Sequence, residues 1–171
     1  CFGRPLQERG RRFKKEEIPW LWEFLTKELG LPKEKLYVTV FSGDKNVDYD
    51  THSEDIWRDI FEKEKLESKI FPGDVTKNWW SRSGIPDNMP EGEPGGPDSE
   101  VFFDFGEELK IHESSLFKNQ PCHPNCQCGR FLEIGNSVFM EYKKAEDGFF
   151  QPLPQENVDF GGGLERLLAA V

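Results

Sequence analysis

The stretch from Phe131 to Tyr142 is rich in β-formers, and five residues later comes the turn dipeptide Asp147-Gly148, followed at once by Phe149-Phe150. That spacing constrains the fold more than any other feature of the chain. An Asp-Gly pair between two extended segments is a hairpin signal, and a hairpin leaves no room for the helix that a parallel connection needs. A second strand is expected at Val101-Phe102-Phe103-Asp104-Phe105, and a third at Leu36-Tyr37-Val38-Thr39-Val40-Phe41. Helices belong at either end. Ile18, Leu21, Trp22, Leu25 and Leu29 recur at helical spacing, so a helix is expected over 15–29, with Pro19 in its first turn and Gly30 and Pro32 ending it. A second helix is expected to open at Ser53 and carry Ile56, Trp57, Ile60 and Phe61. A last helix begins near Gly162. No internal repeat is present. The expectation is an α+β fold: a mainly antiparallel β-sheet flanked by helices.

With 171 residues, 36% of them hydrophobic and 13% aromatic, the chain can bury one ordinary core. It is expected to be a single domain, 1–171, holding a Pro/Gly-rich loop at 81–98 whose length suggests a working role. The net charge of −10 argues against a broad surface for nucleic-acid backbone, although Arg4, Arg9, Arg11, Arg12, Lys14 and Lys15 crowd the start. No apolar run nears the roughly 18–20 residues that span a bilayer, and no signal peptide is evident, so a cytoplasmic protein with no membrane partner is expected. The chain opens at Cys1 without Met and its last helix stops abruptly. It is therefore expected to be a partial domain, inactive when isolated.

Four sets of residues carry candidate chemistry. In Val158-Asp159-Phe160-Gly161-Gly162-Gly163-Leu164-Glu165-Arg166, glycines allow a ligand close to the backbone, and the helix behind them favours anions. Arg166 could fork two phosphate oxygens, and Asp159 could take an ammonium group. The competing reading is a strand-to-helix turn with a surface arginine. No GxxxxGK[ST] or GxGxxG is present, which excludes P-loop and dinucleotide-binding readings. In Glu133-Ile134-Gly135-Asn136, a bulge at Gly135 would turn Glu133 and Asn136 to one face, where their oxygens suit Mg²⁺ bound to a nucleotide. In a plain strand they would face opposite sides. Around Asn78-Trp79-Trp80, Trp80 could wall a small pocket and Glu100 could orient a polar group, while Trp79 reads as core. Finally, Cys122, Cys126 and Cys128 with adjacent His123 have the donor types zinc accepts. The fourth ligand is open between His123, His112 and a residue outside the chain; a compact loop with free thiols is the alternative.

Seven motifs in order resemble the catalytic core of the alanyl-tRNA synthetase family, a class II aminoacyl-tRNA synthetase family. Phe13-Lys14-Lys15-Glu16-Glu17-Ile18 with Trp22-Glu23-Phe24-Leu25-Thr26 resembles the helix after motif 2, and Leu36-Tyr37-Val38-Thr39-Val40 its following strand. Asn78-Trp79-Trp80 resembles "NFW", and Gly96-Pro97-Asp98-Ser99-Glu100 the end of "GPCGPCSE". Residues 133–140 resemble "EIWNLVFM", Pro152-Leu153-Pro154 matches "PLP", and residues 158–166 resemble motif 3, "VDTGMGLER". The resemblance implies ATP-dependent activation of L-alanine and its transfer to tRNA(Ala). It implies that Arg166 meets the ATP phosphates, that Asp159 holds the alanine ammonium, and that Gly161 and Gly163 line the nucleotide site. It also implies that Trp80 shapes the alanine pocket, that Asn136 lies beside the substrates, and that Glu133 partners Mg²⁺–ATP.

The chain departs from the family at Gly135, where the pattern has Trp, and at Phe160, where it has Thr. The cysteine cluster has no counterpart in the common pattern. Motif 1 and the arginine-bearing strand of motif 2 are absent from these residues. Two other readings therefore stand beside the ligase: a non-catalytic synthetase-like binding or metal module, and a relative that activates alanine for another acceptor.

Overall fold

The computed structural model describes residues 6–171, with side chains described from residue 13. Cys1, Arg4 and the side chains of Arg9, Arg11 and Arg12 lie outside the described residues. Lys14 of the basic cluster is buried.

The first helix is longer than its periodicity suggested. α1 spans Leu6–Glu23 and runs directly into a π-helical turn, Phe24–Glu28, closed by Leu29 N–H to the Phe24 carbonyl at 3.0 Å. Pro19 lies inside α1, not in its first turn. The expected start at Lys15 was drawn from the apolar repeat that begins at Ile18; the helix tolerates Pro19 in its interior because Ile18, Leu21, Trp22 and Leu25 bury one face almost completely. The second helix, α2 (Thr51–Lys63), opens two residues earlier than expected. Its cap is Asp50, whose carboxylate accepts the Ser53 N–H. Ile56, Trp57, Ile60 and Phe61 face α1, and Trp22 meets the Trp57 and Phe61 rings edge-on at 6.3 and 5.7 Å.

Six strands form one mixed sheet: β1 (Leu36–Phe41), β2 (Ile70–Gly73), β3 (Trp79–Ser81), β4 (Pro94–Asp104), β5 (Phe131–Lys144) and β6 (Phe150–Gly161). Five of them run in the order β2-β1-β4-β5-β6, and β3 also pairs with β4. Only β1 with β2 is parallel; the other four pairings are antiparallel, in keeping with the expected α+β class. A short third helix, α3 (Leu164–Ala170), follows β6.

One expectation needs correction. Residues 94–98 are not loop but the first part of β4, and Gly96 permits it: a Cβ there would lie 1.8 Å from the Phe139 carbonyl oxygen on β5. The glycines that read as loop punctuation instead allow two backbones to meet. After the Asp147-Gly148 hairpin, which forms as expected with Gly148 at φ +83°, β6 continues for twelve residues through Pro152 and Pro154. Prolines argue against a central strand, but β6 is an edge strand.

Candidate active site

Side-chain direction in the sheet follows from register. Asp98, Glu100 and Phe102 alternate on β4 and share a face. On β5 the pairs are Asn136 with Glu100 and Glu133 with Phe102, so Ile134 is an extra residue and the ladder is bulged there. The bulge turns Glu133 and Asn136 to the face that holds Glu100. On β6, Gly161 pairs with Asn136 and Asp159 with Val138, which is itself opposite Asp98, so both belong to this face. On β3, Trp80 pairs with Gly96 and joins them, 41% exposed. Trp79 points to the other face and is core, packed against Phe41, Tyr142 and Phe150. The opposite side of the sheet is covered by α1 and α2.

Every sequence-predicted substrate residue except those beyond β6 thus lies on one open sheet face, and α3 brings the last to its edge. Gly163 precedes α3, its carbonyl accepting the Arg166 and Leu167 N–H groups. Arg166 reaches back to β5 and pairs with the Glu133 carboxylate at 2.8 Å.

Beneath the exposed residues lies a buried polar layer of which sequence reasoning singled out Glu100 but not its partners. Asn78 Nδ2 donates to Thr39 Oγ1 (2.8 Å) and to Asp98 Oδ1 (3.0 Å), and Thr39 Oγ1 donates to Glu100 Oε2 (3.1 Å). The Asn136 side chain bonds the same Asp98 carboxyl. Burial pushes Asp98 up to about 7, and the Glu133 charge adds to it against the Asn78 and Asn136 bonds. Burial likewise pushes Glu100 up to about 8, with Asp98 and Glu133 adding to the effect. The Oδ1 atoms of Asn136 and Asn78 are buried and have no hydrogen-bond partner among the described residues. The signal for Asp98 was present: Asp98 and Glu100 are two apart, and alternation puts them together.

The cysteine loop lies elsewhere, in the connection from β4 to β5. Cys122, Cys126 and Cys128 converge as expected, but His112 joins them and His123 does not: the donor atoms of His112 and the three cysteines all lie within 4.8 Å of one another. His123 is exposed and contributes only its carbonyl, which accepts the Cys126 N–H at 2.8 Å. Adjacency in sequence favoured His123; the turn at 123–126 directs its ring away. Among the described residues, no helix is long and apolar enough to cross a membrane.

Comparison with known proteins places the chain in a family. The alanine–tRNA ligase of Petrotoga mobilis is 41% identical over 94% of this chain and 16% of its own length. That of Rubrobacter xylanophilus is 40% identical over 95% of this chain and 17% of its own length. That of Treponema denticola is 39% identical over 94% of this chain and 24% of its own length. The chain therefore spans less than a quarter of the length of these curated relatives. The family model described as tRNA synthetases class II (A) matches residues 8–171, and the chain belongs to that family.

Proposed function

We propose that this chain forms part of the catalytic core of a cytoplasmic alanine–tRNA ligase. The observation that carries the proposal is the convergence of Glu133, Asn136, Asp159, Gly161 and Trp80 on one uncovered sheet face, in a chain whose relatives bear that name. In the first step a carboxylate oxygen of L-alanine forms a bond to the α-phosphorus of ATP. The bond from that phosphorus to the bridging oxygen breaks, and pyrophosphate leaves. In the second, the terminal hydroxyl of tRNA(Ala) attacks the carbonyl carbon and AMP leaves. No protein nucleophile is required; positioning and charge stabilisation do the work.

The residues divide that work. Asp159 pairs with the alanine ammonium and fixes the amino acid's orientation. Trp80 bounds the side-chain pocket and helps exclude water. Arg166 leaves Glu133 to fork phosphate oxygens, and Gly161 and Gly163 let the nucleotide lie against the backbone. Glu133 and the unpartnered Oδ1 of Asn136 fit the hard oxygen donors that Mg²⁺ takes, and the ion would neutralise phosphate charge. The buried carboxyls Asp98 and Glu100 hold Asn78 and Thr39 in place.

The test is alanine-dependent ATP–pyrophosphate exchange by the complete gene product that carries this chain. Exchange that requires alanine is expected. A folded product that supports none with alanine would overturn the proposal in favour of a non-catalytic synthetase-like module.

A further inference from the structure

We propose that His112, Cys122, Cys126 and Cys128 form a closed structural zinc site that pins the connection between β4 and β5. Zinc takes four tetrahedral donors at about 2.3 Å to sulfur and about 2.0–2.1 Å to nitrogen. Tetrahedral angles then demand about 3.8 Å between two sulfurs and about 3.6 Å between sulfur and nitrogen. Cys122 Sγ and Cys128 Sγ are 3.9 Å apart, and Cys126 Sγ and His112 Nδ1 are 3.6 Å apart. Two of the six donor separations already have the spacing a zinc ion requires, and the rest fall within 4.8 Å.

The surrounding bonds prepare the same donors. His112 Nε2 lies 3.0 Å from the Gln120 carbonyl oxygen. A carbonyl can only accept, so Nε2 carries the proton and Nδ1 keeps its lone pair toward the three sulfurs. An outer hydrogen bond of this kind orients ligating histidines and sets their tautomer. The Arg130 N–H points at Cys128 Sγ at 3.4 Å, a contact that favours a thiolate. With three thiolates and one imidazole, all four positions are filled by protein, and none is left for a substrate or an activated water.

The connection also buries little apolar surface of its own. It runs from residue 105 to residue 130 and contains only one short 3₁₀ turn, Glu107–Leu109. Its buried residues are His112, Pro124 and Cys126, two of them members of the cluster, while Leu109 and Leu116 are exposed. A segment of this length with so little core is ordinarily held by something other than hydrophobic burial. Its last residues are mechanically important: Arg130 forks Asp104 through Nε and Nη2, both at 2.7 Å, and closes the end of the β4–β5 ladder three residues before Glu133. Zinc would thus anchor the base of the strand that carries Glu133 and Asn136. The inference does not depend on the ligase reading.

The experiment is metal analysis of the full chain, purified with reductant and loaded with Zn²⁺, beside a Co²⁺ titration of the metal-free protein. One zinc per chain is expected, together with the intense visible bands of tetrahedral cobalt and a thiolate charge-transfer band. His123→Ala should keep full stoichiometry; His112→Ala and Cys126→Ser should weaken binding at least 10-fold. Chelation should lower the unfolding temperature of the wild type and leave Cys126→Ser unmoved. The cobalt spectrum of the wild type stands even if a variant fails to fold. Reduced protein that binds no metal would overturn the inference. So would a Cys122–Cys128 disulfide in the freshly isolated chain, or zinc lost in His123→Ala but kept in His112→Ala.

Discussion

Lys14→Met probes how the two helices are tied to the sheet. Lys14 Nζ lies 2.9 Å from Asp50 and 2.6 Å from Glu141, with side-chain exposures of 3%, 4% and 17%. The cation therefore joins α1, the cap of α2 and β5 at one buried point. Methionine keeps the length and apolar stem of lysine but removes the charge, leaving two buried carboxylates without a cation. Asp50 retains the Ser53 N–H and hydroxyl, at 3.1 and 2.6 Å; Glu141 loses its ion pair. Breaking a buried pair from one side costs about 3–5 kcal/mol, a large part of the roughly 5–15 kcal/mol that holds a domain together. For a chain of this size that corresponds to a fall of about 6–20 °C in Tm. The sign with pH follows. Burial already raises Glu141, so in the variant its protonation as pH falls removes the unpaired charge and narrows the gap to wild type over the acid range. Adding Glu141→Gln should restore part of the loss at neutral pH. The assay is urea unfolding across that range. A variant within about 1 kcal/mol of wild type, the value of an exposed pair, would refute the claim that this triad is buried and cohesive.

Asp98 and Glu100 predict a second pH dependence. Both bind protons more tightly folded than unfolded, so the stability they contribute is complete below about pH 4 and is lost as pH rises through about 7 and about 8. Glu100→Gln should flatten the decline between pH 6 and pH 8.5 in urea unfolding; an unchanged slope would remove Glu100 from the account. The departures at Gly135 and Phe160 predict coupling. A Cβ at Gly135 would meet the Phe160 ring at 3.3 Å and Leu21 at 3.6 Å, so Gly135→Trp should destabilise by about 1–3 kcal/mol as overpacking does. Phe160→Thr in the same chain should recover much of that in a double-mutant cycle; strict additivity would separate the two positions.

What could be read in the residues, and what could not, divides by the range of the interactions. The 131–142 strand, its Asp-Gly hairpin and the core role of Trp79 depend on local pattern, and all formed. The bulge beside Gly135 was legible because Glu133 and Asn136 only make chemical sense together if the strand is irregular there. β2 and most of β6 were not legible: Ile70–Gly73 is four residues with a proline, and β6 carries two prolines that only its edge position excuses. The Gly95-Gly96 pair read as loop because the reason for it, the β5 backbone, is 43 residues from Gly96 at Phe139. His112 stood only as an option beside His123, because the nine residues between it and the first cysteine give no sign that they fold it back into the cluster. The polar layer of Asn78, Thr39 and Asp98 exists only once β1, β4 and the bend before β3 are assembled.

Under the proposed function, the open sheet face activates alanine through Asp159. The most direct test is alanine-dependent ATP–pyrophosphate exchange by the complete gene product, comparing Asp159→Ala with wild type and with Glu146→Ala, a change in the exposed hairpin turn. Loss of a charged hydrogen-bond partner for the ammonium costs about 1.5–3 kcal/mol, so kcat/KM for alanine should fall roughly 10- to 150-fold in Asp159→Ala, with ATP affinity little changed. Glu146→Ala should match wild type. Exchange in Asp159→Ala at the wild-type level would contradict the account and move amino-acid recognition off this face.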